Sequence, residues 1–165
     1  MDAGPEPSDG VALTQAQANC ATPLDVDQFA TAVDGIEFGP AFRWIDAICS
    51  GERQTLARLR MPQSFAETAA AGYWIHPGLL DACFQAAEAT LGETGEPALP
   101  FGMKCLFTQR PATGTVWWTH AVQVGEFTWD IRLFDSTGAT IAAIEGFEAR
   151  KASRGALQRT ADWLY

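Results

Sequence analysis

The chain has 165 residues, 47% of them hydrophobic, and a formal net charge of −9, and this length is enough for one domain with a substantial core. The negative charge argues against binding to nucleic acid or to anionic membranes, because both attract basic surfaces. No apolar run approaches the roughly 20 residues that span a bilayer, and the acidic start lacks the order of a signal peptide, so we expect a cytoplasmic protein.

The first half of the chain predicts a linker followed by short elements. Residues 1 to about 22 are rich in Pro, Gly, Asp, Gln and Ala, which is typical of a linker. Asp25 is suited to cap a short helix that runs to about Val33. The stretch from Phe42 to Ile48 predicts a strand. Residues 57–61 alternate apolar side chains with arginines, which indicates a second strand with one solvated face.

One long helix is predicted from about Pro77 to Leu91. Proline suits the first helical position, and Gly92 is a suitable C-terminal stop. Apolar side chains recur at helical spacing on one face, namely Leu80, Cys83, Phe84, Ala87 and Leu91. Asp81, Gln85 and Glu88 share a different face. An acid with a hydrogen-bonding neighbour one turn along is a candidate proton-transfer site, although the same spacing is also typical of ordinary solvated helix surface.

Four strand-like segments follow the helix, at roughly residues 101–108, 116–124, 128–133 and 140–149, with a hairpin turn at 136–138. In the second segment, alternate residues fall on one face, namely Val116, Trp118, His120, Val122 and Val124. Strands joined by tight turns pair antiparallel, and a single apolar helix needs a sheet around it to bury its face. The pattern therefore predicts an α+β domain.

The cysteines and histidines argue against a metal site. Cys20, Cys49, Cys83 and Cys105 form no Cys-x-x-Cys pair, and the chain has only two histidines. A zinc site is therefore not expected, and we predict no metal. Without a secretory signal, the thiols are expected to be reduced.

Four motifs occur in an order that resembles a known family. The stretch from His76 to Gln85, HPGLLDACFQ, resembles the motif His-Pro-x-Leu-Leu-Asp-x-x-x-Gln or His in the second half of dehydratase domains of modular polyketide synthases. Residues 37–42 resemble the Tyr-Gly-Pro-x-Phe motif of that family. Residues 99–101 resemble its Leu-Pro-Phe motif, and residues 162–165 resemble the linker that leads into the next domain.

The resemblance implies a hotdog fold, in which an antiparallel sheet wraps one long central helix, and it implies that the chain is half of a double hotdog. In that interpretation residues 1–22 are linker, residues 23–152 are the C-terminal dehydratase hotdog, and residues 153–165 begin the linker to the next synthase domain. Six tryptophans and ten phenylalanines supply apolar area for such a core or for a contact between two hotdogs.

The resemblance also implies a reaction and a partner. Dehydratases of this family eliminate water from a β-hydroxyacyl thioester carried on the phosphopantetheine arm of an acyl carrier protein, which leaves an α,β-enoyl thioester, and no further cofactor is expected. Asp81 corresponds to the catalytic acid, and Gln85 to the residue that orients it or the hydroxyl. The motif residues expected to contact substrate are Phe38, Gly39, Pro40, His76, Pro77, Leu99, Pro100 and Phe101.

The chemistry makes a demand on Asp81. A general acid must be protonated while it works, so its pKa must lie well above that of a free carboxyl. The N-terminus of a helix favours the anion instead, so burial in an apolar tunnel has to prevail. Candidate walls of that tunnel are Tyr73, Trp74, Phe84, Phe101 and Phe38, and for Phe84 an ordinary core position is the preferred interpretation.

The catalytic histidine of the family has no counterpart in this chain. The family carries it in a first hotdog, within His-x-x-x-Gly-x-x-x-x-Pro, and the residue four after His120 is Val124. His76 belongs to the second-half motif, where a structural role near the helix start is the better interpretation. Phe38 also stands where the family usually has Tyr. We therefore expect half a site, completed by an N-terminal hotdog half that carries the histidine, within a parent synthase that is a homodimer.

Other functions stay open. The missing histidine and Phe38 are compatible with a non-catalytic dehydratase-like module that stabilises a synthase dimer. Cyclisation or double-bond isomerisation on the same frame is a further alternative, although isomerising relatives resemble this motif with the Asp changed. A single-hotdog enzyme that dimerises to form two sites needs its own base, and nothing in the sequence matches one.

Overall fold

The computed structural model describes residues 9–27, 39–63, 72–92 and 98–151. Two α-helices lie in these ranges, α1 at Asp9–Asn19 and α2 at Pro77–Glu88, with single 3₁₀ turns at Pro40–Phe42 and Ala89–Leu91. The strands are β1 Thr22–Leu24, β2 Ile45–Gly51, β3 Gln54–Arg60, β4 Ala98–Gly102, β5 Cys105–Thr108, β6 Val116–Gly125, β7 Thr128–Asp135 and β8 Thr140–Lys151.

All eight strands form one antiparallel sheet in the order β1-β2-β3-β6-β7-β8-β4, and β5 also pairs with β8. Tight turns join the neighbours β2–β3, β6–β7 and β7–β8. In the last of these, Gly138 has a φ of 90°, a conformation that glycine adopts without steric cost. The hairpin predicted at residues 136–138 is confirmed.

Helix α2 packs against the middle of this sheet, on strands β3, β6 and β7. Its buried residues are Gly78, Leu79, Ala82, Cys83, Ala86 and Ala87, most of them small, which lets the helix axis approach the sheet closely. Two hydrogen bonds anchor the end of this helix and the 3₁₀ turn that follows it, because Thr55 Oγ1 donates to the Ala86 carbonyl at 2.6 Å and Trp129 Nε1 donates to Thr90 Oγ1 at 2.7 Å. One helix enclosed by an antiparallel sheet is the arrangement that the sequence predicts.

Helix α1 corrects part of the linker expected over residues 1 to about 22, since Asp9–Asn19 is helical. Leu13, Ala16 and Cys20 are buried against Leu56 and Phe134, on the face of the sheet opposite α2. The helix is held by contacts with strands far along the chain, and local composition does not reveal such contacts. The predicted domain limits of 23–152 stay a prediction.

Three strand predictions also need correction or detail. The predicted strand at 101–108 is divided into β4 and β5, which both pair antiparallel with β8, at successive parts of it, and which are separated by residues 103–104. Strand β2 begins at Ile45 because Pro40–Phe42 forms a 3₁₀ turn. The alternate residues from Val116 to Val124 share a face as predicted, but the core face of β6 is the other one, with Trp117, Thr119 and Ala121 buried.

Two further expectations can be compared with the structure only within the described residues. The Asp25 carboxylate accepts a hydrogen bond from the Asp27 N–H at 3.0 Å, but the rest of the helix predicted through Val33 lies outside the described ranges. Within those ranges, no helix is both long enough and apolar enough to cross a membrane.

Candidate active site

The start of α2 is shaped by a histidine cap and a glycine. His76 is the N-cap, and its Nδ1 accepts a hydrogen bond from the Gly78 N–H at 3.0 Å, while Pro77 occupies the first helical turn. The His76 ring also lies 5.1 Å from the Trp44 ring and 5.2 Å from the Tyr73 ring, between centroids. His76 thus caps the helix and packs in an aromatic cluster, which is the structural role expected from its place in the motif.

Trp44 lies directly beneath this helix start. Its side chain is buried, and its Nε1 donates to the Ala41 carbonyl at 2.7 Å. A Cβ on Gly78 would lie 2.5 Å from that Nε1, so only glycine lets the first turn of α2 approach the indole this closely. The contact brings the Pro40–Phe42 turn beside the helix.

Asp81 and Gln85 form the hydrogen-bonded pair that their spacing predicts. Gln85 Nε2 donates to Asp81 Oδ2 at 2.6 Å and also lies 3.5 Å from the Phe42 carbonyl oxygen. The amide therefore joins the carboxyl group to the turn that contains Pro40. Two of the sequence motifs, residues 39–42 and residues 76–85, meet at this point.

Burial controls the electrostatics of Asp81. Removal of water raises the pKa of its carboxyl, and the hydrogen bond from Gln85 lowers that pKa by a smaller effect. The net direction is upward, toward the protonated form. A carboxyl with a raised pKa and a positioned hydrogen-bonding neighbour can deliver a proton to a leaving group.

Glu88 is a functional candidate that the motif comparison leaves out. Burial and, by a smaller effect, the negative charge of Asp81 raise the pKa of its carboxyl to about 8. Its Oε1 is buried and has no hydrogen-bond partner among the residues that the structure describes. The sequence could have indicated Glu88 as a candidate, because it falls on the same helix face as Asp81 and Gln85.

The remaining predicted site residues are not all brought to Asp81. Phe38 lies outside the described ranges. Residues 99–101 belong to β4, an edge strand, and Phe101 is 57% exposed with the Arg150 guanidinium 3.2 Å above its ring. The link between α2 and this edge is Phe84, which is partly buried and stacks on Phe147 of β8 at 4.3 Å between ring centroids.

His120 lies on the face of β6 that points away from α2. Its Nε2 is 2.9 Å from Gln54 Oε1, and burial together with the charge of Arg132 lowers its pKa to about 4. The neighbours that face α2 on this strand are Trp117, Thr119 and Ala121. His120 therefore cannot act as the base opposite Asp81.

An antiparallel sheet around one helix defines an α+β protein of the hotdog class, and the half-buried acid and amide near the start of that helix form its candidate active site. A family model described as the polyketide synthase dehydratase N-terminal domain matches residues 8–159. The chain belongs to this polyketide synthase dehydratase family. Its place as the C-terminal half of a dehydratase stays a prediction.

Relatives among curated proteins are large synthases. The chain is 30% identical to the polyketide synthase PksN of Bacillus subtilis over 142 residues, which cover 77% of this chain and 3% of that protein. It is 34% identical to the polyketide synthase ThaG of Burkholderia thailandensis over 83 residues, which cover 50% of this chain and 2% of that protein. The chain thus spans a small part of each relative.

Solved structures confirm the hotdog fold. The dehydratase domain from the CurF module of the curacin polyketide synthase superposes with a TM-score of 0.78 at 26% identity, over 86% of this chain and 52% of that one. An inactive variant of the CurK dehydratase, with Phe in place of a histidine, has a TM-score of 0.80 at 26% identity, over 93% and 56%. A second inactive CurK variant has Asn in place of an aspartate.

Proposed function

We propose that this chain is the acid-bearing half of a polyketide synthase dehydratase. The observation that carries the proposal is the Asp81–Gln85 pair, a carboxyl whose pKa burial raises and whose Oδ2 accepts a hydrogen bond from the amide at 2.6 Å. The pair lies within the motif that resembles the catalytic segment of the family. Membership of the dehydratase family supports the same assignment.

The reaction is the elimination of water from a β-hydroxyacyl thioester. A base removes the α-proton, the electron pair of that C–H bond forms the α,β double bond, and the β-carbon–oxygen bond breaks. Asp81 supplies a proton to the hydroxyl, which then leaves as water, because an unprotonated hydroxide ion is a poor leaving group. The products are an enoyl thioester, water, a protonated base and the Asp81 carboxylate.

The base is supplied by a second hotdog half that carries the family histidine. Three observations support this division. The chain matches 52% and 56% of two solved dehydratase chains, and an inactive CurK variant lacks a histidine. His76 caps α2 and His120 lies on the opposite sheet face. The strand edge formed by β4 and β5 exposes large apolar side chains that a second half would cover.

The substrate is carried on the phosphopantetheine arm of an acyl carrier protein, and the parent synthase is a homodimer. Relatives such as PksN, in which this region is 3% of the protein, support a multidomain setting. Tyr73 and Trp74, at 54% and 55% exposure beside the start of α2, are available to the thioester arm.

The experiment replaces Asp81 with Asn in the complete dehydratase and follows the conversion of a short β-hydroxyacyl pantetheine thioester by mass spectrometry. Loss of the acid is expected to lower kcat by about 10²- to 10⁴-fold. Glu126→Gln, which changes an exposed carboxylate, is the matched control and should leave kcat unchanged. Dehydration at the normal rate in the Asp81→Asn variant would exclude Asp81 as the acid.

A non-catalytic scaffold is the second candidate, favoured by the absence of a suitable histidine and by Phe38. Turnover by the chain alone, by the chain together with the histidine-bearing half, and by the complete domain distinguishes the cases. A chain that turns over substrate only together with the histidine-bearing half supports the half-site. A complete domain that binds carrier protein and never forms enoyl product supports the scaffold.

A further inference from the structure

Glu88 is a half-buried residue whose carboxyl oxygen Oε1 is fully buried, and the proposed reaction has no use for it. It lies seven residues after Asp81 on α2, which places the two Cα atoms about 10 Å apart along the helix axis. Gln85 lies between them on the same face and bonds to Asp81. Long helical side chains lean toward the N-terminus of the helix, so the Glu88 carboxyl extends toward the Asp81 turn.

The environment of Glu88 is unusual for a structural residue. Buried polar atoms almost always have hydrogen-bond partners, because an unpaired one loses its water without compensation. Glu88 Oε1 is buried without a partner within the described part of the chain. The fold therefore bears a cost that a bound group with a hydrogen-bonding atom would remove.

The two ends of this helix face differ in access to solvent. Near Asp81, the aromatic residues Phe42, Tyr73 and Trp74 are 45%, 54% and 55% exposed. At the other end of the face, Glu88 Oε1 is buried. A flexible arm that enters from this exposed end would meet Asp81 first and would leave the acyl chain beyond the reacting carbon on the side of Glu88.

We propose that Glu88 contacts the substrate and that its carboxyl hydrogen-bonds an oxygen on the acyl chain beyond the β-carbon. The inference rests on the proposed function and deepens it, because it names the substrate class as β-hydroxyacyl chains with a second, more distant hydroxyl or ketone. Glu88 is then a residue that determines specificity, and Asp81 keeps the chemical step.

The chemistry of the carboxyl suits this role. Burial and the nearby Asp81 raise the pKa of Glu88 to about 8, so the protonated form prevails at neutral pH. A protonated carboxyl offers one O–H donor and one carbonyl acceptor. It can therefore bond to a ketone or a hydroxyl, whereas a purely hydrocarbon chain leaves both of its atoms unpaired.

The test compares matched substrates in the complete dehydratase. One series of β-hydroxyacyl pantetheine thioesters carries a ketone, moved one carbon at a time along an eight-carbon chain, and the reference thioester has none. We expect the best ketone position to raise kcat/KM roughly tenfold over the reference, the order of one satisfied hydrogen bond. Glu88→Leu should bring that ratio close to one, and Glu88→Gln, which keeps a donor and an acceptor, should retain most of it.

The outcomes separate the inference from the proposed function. An unchanged ratio in Glu88→Leu, or an equal loss of rate on both substrates with a lower thermal unfolding midpoint, would assign Glu88 a structural role and overturn the inference alone. A wild-type domain that dehydrates neither substrate would overturn the proposed function, and the inference would fall with it. A flat dependence on ketone position in the wild type would also contradict the inference.

Discussion

Two carboxyls on one face of α2 share a shift toward the protonated form but differ in their partners. Asp81 has the Gln85 amide as a hydrogen-bond donor, which offsets part of the effect of burial. Glu88 has no such donor for its Oε1 in the described residues, and the charge of Asp81 adds to the effect of burial. The pair therefore retains a proton at neutral pH that two solvated carboxyls would have lost.

The raised pKa of Glu88 predicts a pH dependence of stability. Between the ordinary pKa of 4.5 and about 8, folded Glu88 holds a proton that the unfolded chain has released, so the free energy of unfolding falls as pH rises through this window. Glu88→Gln cannot titrate. The stability of the wild type should therefore decline relative to this variant from about pH 4.5 to about pH 8, and the difference should level off above.

Denaturant unfolding of both proteins across this range measures the difference. His120, whose pKa is lowered to about 4, acts in the opposite direction, because its folded form releases a proton that the unfolded form keeps up to its ordinary pKa of 6.5. Both proteins contain it, so its contribution cancels. Parallel curves would mean that Glu88 is as well solvated in the folded state as in the unfolded one.

At the scale of elements, the contact between Gly78 and Trp44 determines how α2 enters the sheet. Gly78→Ala should lower the free energy of unfolding by about 1–3 kcal/mol, because the new Cβ would overlap the buried indole. The gain in helix propensity from alanine, about 1 kcal/mol, acts against this effect and is smaller. Chemical denaturation gives the change directly.

Gly102→Ala is the matched control for this substitution. A Cβ at Gly102 meets no atom within 4 Å, so the free energy of unfolding of the Gly102→Ala variant should stay within about 0.5 kcal/mol of the wild-type value. A Gly78→Ala variant as stable as the Gly102→Ala variant would show that α2 can shift away from Trp44 at no cost.

Elements with a clear hydrophobic period were predictable from the sequence. The alternation in β7, where Trp129, Ile131 and Leu133 are buried, follows its predicted pattern because one face of the strand is apolar. The helix begins at Pro77 as predicted, but its buried face is rotated from the predicted one: Leu79, Ala82 and Ala86 are buried, whereas Leu80, Phe84 and Leu91 are only partly buried. Strand β6 was ambiguous, since Trp117 and Trp118 put a large apolar group on both faces. Helix α1 was missed because its burial depends on Leu56 and Phe134, which are distant in sequence.

The site was predictable to a similar extent. The spacing of Asp81 and Gln85 on a helix implies that they can bond, and they do. Trp44 and the unpaired oxygen of Glu88 could not be inferred, because each depends on which loop or strand packs against α2. Local periodicity carries no information about such neighbours.

At the scale of the whole molecule, the edge formed by β4 and β5 is apolar and open. Its exposed large side chains are Leu99, Phe101, Met103, Leu106 and Phe107, at 37–57% exposure. Exposed strand edges with apolar side chains promote association between chains. The chain alone should therefore self-associate, and the double substitution Leu106→Thr, Phe107→Thr should reduce this association, as measured by sedimentation.

Val124→Thr provides the control for that experiment. Val124 is also 53% exposed but lies on β6, away from the edge, so its substitution should leave the association unchanged. The double variant should keep the thermal unfolding midpoint of the wild type, because its side chains are exposed in the isolated chain. Equal effects of both substitutions would mean that general hydrophobicity, and not this edge, drives the association.

The hydrogen bond from Gln85 also makes the two oxygen atoms of the Asp81 carboxyl different from each other. The amide nitrogen can donate to Oδ2 when Asp81 is ionised and equally when Oδ2 is the carbonyl oxygen of the neutral acid. Because Oδ2 stays engaged in both states, the proton resides on Oδ1. In the proposed reaction, Gln85 would therefore determine which oxygen atom releases the proton, and with it the side from which the leaving hydroxyl approaches.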